Sequence, residues 1–455
     1  MKTRMNFKDE FYQKLKLLVL PIAIQNFMLA LVSATDAIML GWIDQTSLSA
    51  VSLAGQVQFV LSLFISGIAA GAGIMAAQYW GKQDAASIEK VIPIALRTNL
   101  LFSGLFTILA GFCPEMLMRI FTNDAALVAS GSQYLRAVAL SYVLCGISQV
   151  YLILLKNTGH AAVSSRISST AVVLNIILNA ILIYGLCGAP ALGIRGAAYA
   201  TVAARVVELI WAYLETKKPE RVRILWNRLF SSAGKILSED FWRYTLPVLA
   251  ASLVWGIAYV LYSVIMGHMG SDAVAANSIT SIAKSLLSCL IRGVSGGAGV
   301  LIGNLLGANE LEKAREYGGR LSHLSIAIGI VTGGLLMLIS PAIVHFAPLS
   351  DTAAEYLQYM LLFCGLNLMA QSVNTTVLDG IFCAGGDAKF DMQGNIGAMW
   401  CFSVPLGFLA AFWLKLPVMV VYCIVNLDEI VKLPAVYHHY KKYIWVRNIT
   451  HDVED

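Results

Sequence analysis

The sequence predicts an all-α polytopic membrane protein with twelve transmembrane helices in two pseudo-symmetric six-helix lobes. Three observations lead there. The 455 residues are 58% hydrophobic and 13% charged, and their mean hydropathy of +0.71 is far too high for a soluble globular chain of this length. The apolar runs are roughly 20–30 residues long, which suits helices crossing a hydrocarbon core of about 30 Å, and they lack the alternation of barrel strands. The chain also repeats itself. Leu20-Pro21 recurs 226 positions later as Leu246-Pro247, Gly41 as Gly267, Gly67 as Gly293, and Gly71-Ala72-Gly73 as Gly297-Ala298-Gly299. Gln78, Gly81 and Asp84 reappear as Asn304, Gly307 and Glu310, whereas Asp36 pairs with Tyr262.

The spans follow in order from a hydropathy window of about 19 residues. The first, near 17–42, comes after Lys2, Arg4, Lys8, Lys14 and Lys16 and carries Asp36. The second, near 50–79, holds Gly67 and Gly71 at small-x-x-x-small spacing, which brings a helix backbone close to a neighbour. Lys82 and Lys90 follow it. Runs near 91–112 and 128–155 make the third and fourth spans, and Arg119 is the basic residue of the loop between them. Lys156 and Arg166 flank the connection to the fifth, near 164–187; the sixth, near 194–215, enters through Gly193-Ile194-Arg195-Gly196-Ala197-Ala198. Six basic residues from Lys217 to Lys235 crowd the central loop. The seventh and eighth spans, near 242–267 and 274–304, repeat the first and second, and Lys313, Arg315 and Arg320 come next. Runs near 319–345, 353–382, 392–414 and 417–437 complete the set, with Lys415 in the last outer loop and Lys441, Lys442 and Arg447 after the final span.

Basic residues thus gather on every second loop, and the positive-inside rule predicts an integral plasma membrane protein with both termini cytoplasmic. The two copies begin an even number of crossings apart, so the repeat is parallel, about an axis along the membrane normal. The expected organisation is an N-terminal lobe over 1–220, a cytoplasmic linker over 221–240, a C-terminal lobe over 241–440 and a cytoplasmic tail over 441–455.

Other classes fall away. The net charge of +5 is topological, and no aromatic or glycine-rich motif accompanies it, so nucleic acid is not an expected partner. The polar start and the long first apolar run do not resemble a cleaved signal. Eight scattered cysteines show neither disulfide nor metal spacing. No histidine set or Walker pattern points to catalysis, so the protein is not expected to be an enzyme or to hold a cofactor.

The polar residues within the spans carry the functional reading. Asp36 has about a turn of apolar residues on either side; a carboxylate there costs roughly 2.5–3.5 kcal/mol on insertion scales and usually lines a cavity or ion path. It can take up and release a proton, or hold Na⁺ when ionised. Asn175 and Asn179, four apart, share one helix face, able to offer amide oxygens to a cation or a donor to Asp36. They could equally be interhelical glue, worth about 0.6 kcal/mol per contact. Thr201 can do the same or bond its own backbone. In the second half lie Lys284 and Arg292 in span eight and Gln371, Asn374 and Asp379 in span ten. Asp379, beside Gly385-Gly386-Asp387, suits the solvated interface.

These features together resemble the multidrug and toxic compound extrusion (MATE) family, secondary antiporters of twelve helices in two lobes. The likeness rests on Leu20-Pro21, the stretch from Thr35-Asp36 to Gly41, the Gly71-to-Gly81 run with its copy, Asn175-x-x-Leu178-Asn179 and Gly193-Ile194-Arg195-Gly196-Ala197-Ala198. It implies export of amphipathic, often cationic, organic compounds in exchange for H⁺ or Na⁺ by alternating access. It also implies cation coupling through Asp36, Asn175, Asn179 and Thr201, with Asp36 and Asn175 as the place for any Na⁺. The acid that the NorM-like branch carries in span seven is here Trp255, and its span-ten acid falls near Gln371. The acid common in the DinF-like branch at Asn179 is here an amide. These departures remove the family's second-lobe acids and favour H⁺ and a DinF-like grouping. Candidates for the substrate cavity are Gln25, Met39, Trp255 and Tyr259, with Tyr262, Lys284 and Gln371. One chain holds both lobes, so a monomer suffices, with the lipid bilayer and small organic substrates as its partners. The alternatives are a flippase for a lipid-linked sugar, which would need a cationic cavity around Lys284 and Arg292, and a membrane-embedded enzyme.

Overall fold

In hydrocarbon no water is present to satisfy a peptide N–H or C=O, so each apolar run closes its hydrogen bonds within itself as a helix. Residues 10–42, 45–224, 226, 229, 234–347 and 349–451 are described in a computed structural model of the chain. The first half forms α1 (Glu10–Gly41), α2 (Gln45–Gly81), α3 (Ala85–Phe112), the short α4 (Pro114–Arg119), α5 (Ala125–Leu155), α6 (Ala161–Tyr184) and α7 (Ile194–Thr216). The second forms α8 (Lys235–Gly267), α9 (Ser271–Gly307), α10 (Leu311–Phe346) and α11 (Asp351–Thr375), then the shorter α12 (Ala388–Asn395), α13 (Val404–Phe408), α14 (Val418–Val425) and α15 (Asp428–Tyr440). Widened π-type turns extend α11 and join α12 to α13.

Among the described residues ten stretches are long and apolar enough to cross a membrane. One of them, Ala125–Tyr184, holds both α5 and α6, parted where Gly159 takes a left-handed φ of 81°. The span expected near 417–437 is divided instead into α14 and α15 at Asn426-Leu427. Its second piece opens with Asp428 and Glu429, which breaks the apolar run.

The chain folds as two compact units. One contains the described part of Met1–Ala23 together with Ala250–His451, the other Ile24–Leu249. Each repeat's first helix is therefore divided between units, α1 after Ala23 and α8 after Leu249. Pro21 and Pro247 lie just before those divisions, and each removes one intrahelical hydrogen bond there.

The duplicated glycines explain how each unit receives its foreign half-helix. In the unit of Ile24–Leu249, a Cβ on Gly67 would sit 2.8 Å from the Leu249 Cα and one on Gly71 2.7 Å from the Thr245 Cα. In the other unit, a Cβ on Gly293 would lie 2.9 Å from the Ala23 Cα and one on Gly297 2.8 Å from the Val19 Cγ2. Val19 and Ala23 are the repeat partners of Thr245 and Leu249, so both crossings use the same contact. The first half of α1 is further held by Phe11 and Leu15, buried with Leu301, Leu305 and Tyr317. The turns after α2 and α9 also match, with left-handed Gln83 (φ 64°) and Asn309 (φ 61°).

The C-terminal tail is built into its unit. Trp445 is fully buried, its ring lies against Gly318 and beside Tyr440, and the Arg447 guanidinium donates to the carbonyls of Gly385 and Gly386 at 2.7 and 2.6 Å. Emptying such a site costs about 3–5 kcal/mol. Trp445→Ala should lower the thermal unfolding midpoint of the detergent-purified protein by several degrees.

Candidate cation-coupling site

The sequence places Asp36 five residues before the end of α1, in the unit of Ile24–Leu249, and half-buries it. Its Oδ1 accepts a 2.6 Å hydrogen bond from Asn179 Nδ2 on α6. Because a helix turn separates Asn175 from Asn179, their amides lie one above the other, and Asn179 Nδ2 also reaches Asn175 Oδ1 at 3.2 Å. Asn175 Nδ2 donates in turn to Thr201 Oγ1 on α7 at 3.3 Å, and that hydroxyl donates to the Ala197 carbonyl at 3.0 Å. The four residues expected to act together are thus brought together. Thr201 both bonds its own helix and joins the network, so the two readings of it coexist.

The surroundings are apolar. Asn175 and Asn179 are buried, and one core cluster of this unit runs through Leu40, Leu61, Tyr134, Tyr142, Ile183 and Ala198. Asp36 acts electrostatically on the Tyr134 hydroxyl. Tyr184 Oη donates to the Met39 carbonyl at 2.7 Å, so α6 grips α1 at two points, one on each side of a helical turn. Sequence reading missed Tyr134 and Tyr184, because a tyrosine in a membrane span is ordinarily an interfacial or packing residue. The position of Tyr184, five beyond Asn179 on the same helix, was the available signal.

Hydrogen bonds thus run without a break from Asp36 through Asn179 and Asn175 on α6 to Thr201 on α7. Asn179 spends both N–H bonds, one on Asp36 and one on Asn175, while its own Oδ1, in a side chain 1% exposed, has no partner among the described residues. A proton on Asp36 Oδ1 would turn that acceptor into a donor. Asn179 would then have to present its carbonyl and withdraw its N–H from Asn175. The same free carbonyl and the carboxylate are hard oxygen donors of the kind that suit Na⁺.

The cavity candidates are distributed. Met39 packs against the core just described, and Gln25 is half-buried in the same unit. In the other unit Trp255 and Tyr259 are partly exposed and stack at 5.5 Å between ring centroids, and Tyr262 is buried with Met399, Val404 and Val425. Lys284 Nζ donates to Asn367 Oδ1 at 2.9 Å, so its hydrogen bond goes to an amide. Gln371 is half-buried one turn beyond Asn367, and Arg292 and Asp379 are exposed. Sequence reading also passed over Asp391, Asp428, Glu429 and Lys432, all buried. Their charges, at or inside runs otherwise apolar enough to span, were the signal.

The family model described as MatE matches residues 21–181 and 247–409, one match in each repeat. The chain is 21% identical over 427 residues to "Uncharacterized transporter YisQ" of Bacillus subtilis, covering 94% of this chain and 93% of that protein. It is 21% identical over 449 residues to "Probable multidrug resistance protein YoeA" of the same organism (97% and 96%), and 23% identical over 415 residues to a "Probable multidrug resistance protein NorM" of Thermotoga maritima (90% and 87%). Among solved structures, a MOP superfamily transporter from Pyrococcus furiosus superposes with a TM-score of 0.86 at 19% identity, covering 98% of this chain and 99% of that one. An outward-facing multidrug resistance MATE family transporter does so with the same values. At such identities these superpositions speak for the all-helical membrane fold.

Proposed function

Because this chain belongs to the MatE family of membrane transporters, we propose that it exports amphipathic or cationic organic compounds in exchange for H⁺, or for Na⁺, by alternating access. It is an integral membrane transporter and not an enzyme. One observation carries the finer reading: Asp36, in an apolar surround, holds a 2.6 Å hydrogen bond from Asn179 that joins it to α7. A carboxyl so placed exchanges a cation and reports the exchange to a neighbouring helix. The amide at Asn179, where a second acid would complete a sodium cage, favours H⁺, and Trp255 in place of the span-seven acid of the NorM-like branch favours a DinF-like grouping. The alternation of basic loops supports cytoplasmic termini, and both repeats lying in one chain supports a functional monomer. The names of its relatives, several of them multidrug resistance proteins, support an organic cargo.

The test is transport by the purified protein in proteoliposomes, with pH and sodium gradients imposed separately and a fluorescent lipophilic cation as cargo. A pH gradient alone should drive accumulation. A sodium gradient alone driving it would reassign the ion, and no response to either would end the antiporter reading.

A further inference from the structure

The unit formed largely by the second repeat buries a set of charges that do not balance. Lys432 Nζ, on α15, donates to Glu429 Oε1 at 3.2 Å and to Asn395 Oδ1 at 3.1 Å. Asp428 Oδ2 is 3.7 Å from that ammonium, beyond hydrogen-bond reach. Among the described residues Asp391, on α12, is hydrogen-bonded to it through Asn395, whose Nδ2 donates to Asp391 Oδ1 at 3.1 Å. Asn374, on α11, donates to Glu429 Oε2 at 2.8 Å. Asp391, Asp428, Glu429 and Lys432 are each at most 9% exposed.

One ammonium therefore faces three buried carboxylates. The remaining groups around them do not close the difference. Lys284 on α9, half-buried, acts on Asp428 and Glu429, and counting it in full makes two cations against three acids. Asp379, exposed on the stretch after α11, also faces Asp391 and Glu429, and Arg292 acts on it in turn, so the two add one acid and one base to the count and leave its excess of acid unchanged. Cys383 and the Tyr262 hydroxyl also face the cluster, and neither brings a positive charge. A surplus carboxylate in low dielectric is neutralised rather than kept charged. A second observation points the same way: the Oδ1 of Asn374, in a side chain 2% exposed, lacks a hydrogen-bond donor among the described residues.

The first repeat supplies a control within the same molecule. Ser148, the partner of Asn374 at the 226-residue offset, approaches Glu208 at 3.5 Å, and Glu208 is paired with Arg205 on α7. That site holds one acid and one base. Among the described residues the excess of acid belongs to the second repeat and is not a feature of the repeated scaffold.

We propose that the Asp391–Asp428–Glu429–Lys432 cluster is a proton-binding site separate from Asp36, holding one exchangeable proton on Asp391 or Asp428. Lys432 supplies a fixed internal countercharge for Glu429, and the two aspartates share the remaining ammonium and the proton.

Infrared spectroscopy of the full-length protein in lipid films at pH 7 tests this, because solvated carboxyls are ionised there and a protonated one shows a separate C=O stretch that shifts in D₂O. Asp36→Asn protein should retain one such band. Adding either Asp391→Asn or Asp428→Asn leaves two acids against two ammonium groups and should abolish it, while adding Lys432→Met should strengthen it. If one of these variants fails to fold, the Asp36→Asn protein and the other aspartate variant still decide. No band in Asp36→Asn protein, or a band unaffected by both aspartate substitutions, would overturn the proposal. The readout is independent of transport, so its failure leaves the coupling role of Asp36 standing.

Discussion

Asp36→Asn protein is expected to insert, elute and unfold as the wild type does, while ion-driven efflux falls to the level of protein-free vesicles. The substitution is nearly isosteric, and the new amide's oxygen can still accept from Asn179 Nδ2, as Asp36 Oδ1 does at 2.6 Å. The hydrogen bond loses its ionic component, a difference of about 1–2 kcal/mol between charged and neutral partners, too little to unfold the protein. What is lost entirely is the exchangeable cation. An amide neither binds a proton at neutral pH nor carries the charge that attracts Na⁺, so the step linking ion to conformation has no carrier. Asn179→Leu should do less. Asp36 would keep its charge but lose a charge-assisted hydrogen bond worth about 1.5–3 kcal/mol, shifting the ion concentration for half-maximal transport about tenfold or more. Wild-type efflux from Asp36→Asn vesicles would remove Asp36 from the mechanism.

Gly71→Leu should have the other large effect, on folding itself. Its Cβ alone would stand 2.2 Å from Thr245 Oγ1 and 2.7 Å from the Thr245 Cα. The obstruction is main chain, so no rotamer relieves it, and the first half of α8 would have to leave its seat. Overpacking of this kind costs about 1–3 kcal/mol when side chains can yield, and more when backbone must move. The expected result is loss of the monodisperse peak in size-exclusion chromatography or a large fall in unfolding temperature. Gly293→Leu, against the Ala23 backbone, should behave alike because it is the same contact in the other repeat. Gly55→Ala and Gly104→Ala are the controls. Nothing lies within 4 Å of a Cβ at either position, and alanine improves helix propensity by about 1 kcal/mol, so both should be neutral or mildly stabilising.

Much of the candidate site was legible because a charge in an apolar run is conspicuous at the level of single residues. Asp36 stood out in that way, and the four-residue spacing of Asn175 and Asn179 placed both amides on the face that meets it. Tyr184 was not legible, since its role depends on reaching the Met39 carbonyl of another helix. The hydrogen bond of Lys284 to Asn367 was not legible either, because its partner lies on another helix. The cluster around Lys432 was overlooked for a related reason. Asp391 is distant in sequence from Asp428 and Lys432, and only the packing of α12 beside α15 brings their charges into one count.

By itself the sequence determined the class of molecule, the helical form of its spans, the doubling of its scaffold and the singular carboxylate of its first repeat. These follow from hydropathy, hydrogen-bond closure in hydrocarbon and internal likeness, all properties of local composition. Only the tertiary structure decided that α1 and α8 each divide between two units, and that the duplicated glycines are the seats of those divided helices. It alone brought Asp36 to Asn179 and set three buried acids against one lysine. Those outcomes depend on which backbones approach within a few ångströms, and on how buried charges sum over helices far apart in the chain. Periodicity and spacing along one helix carry no record of either.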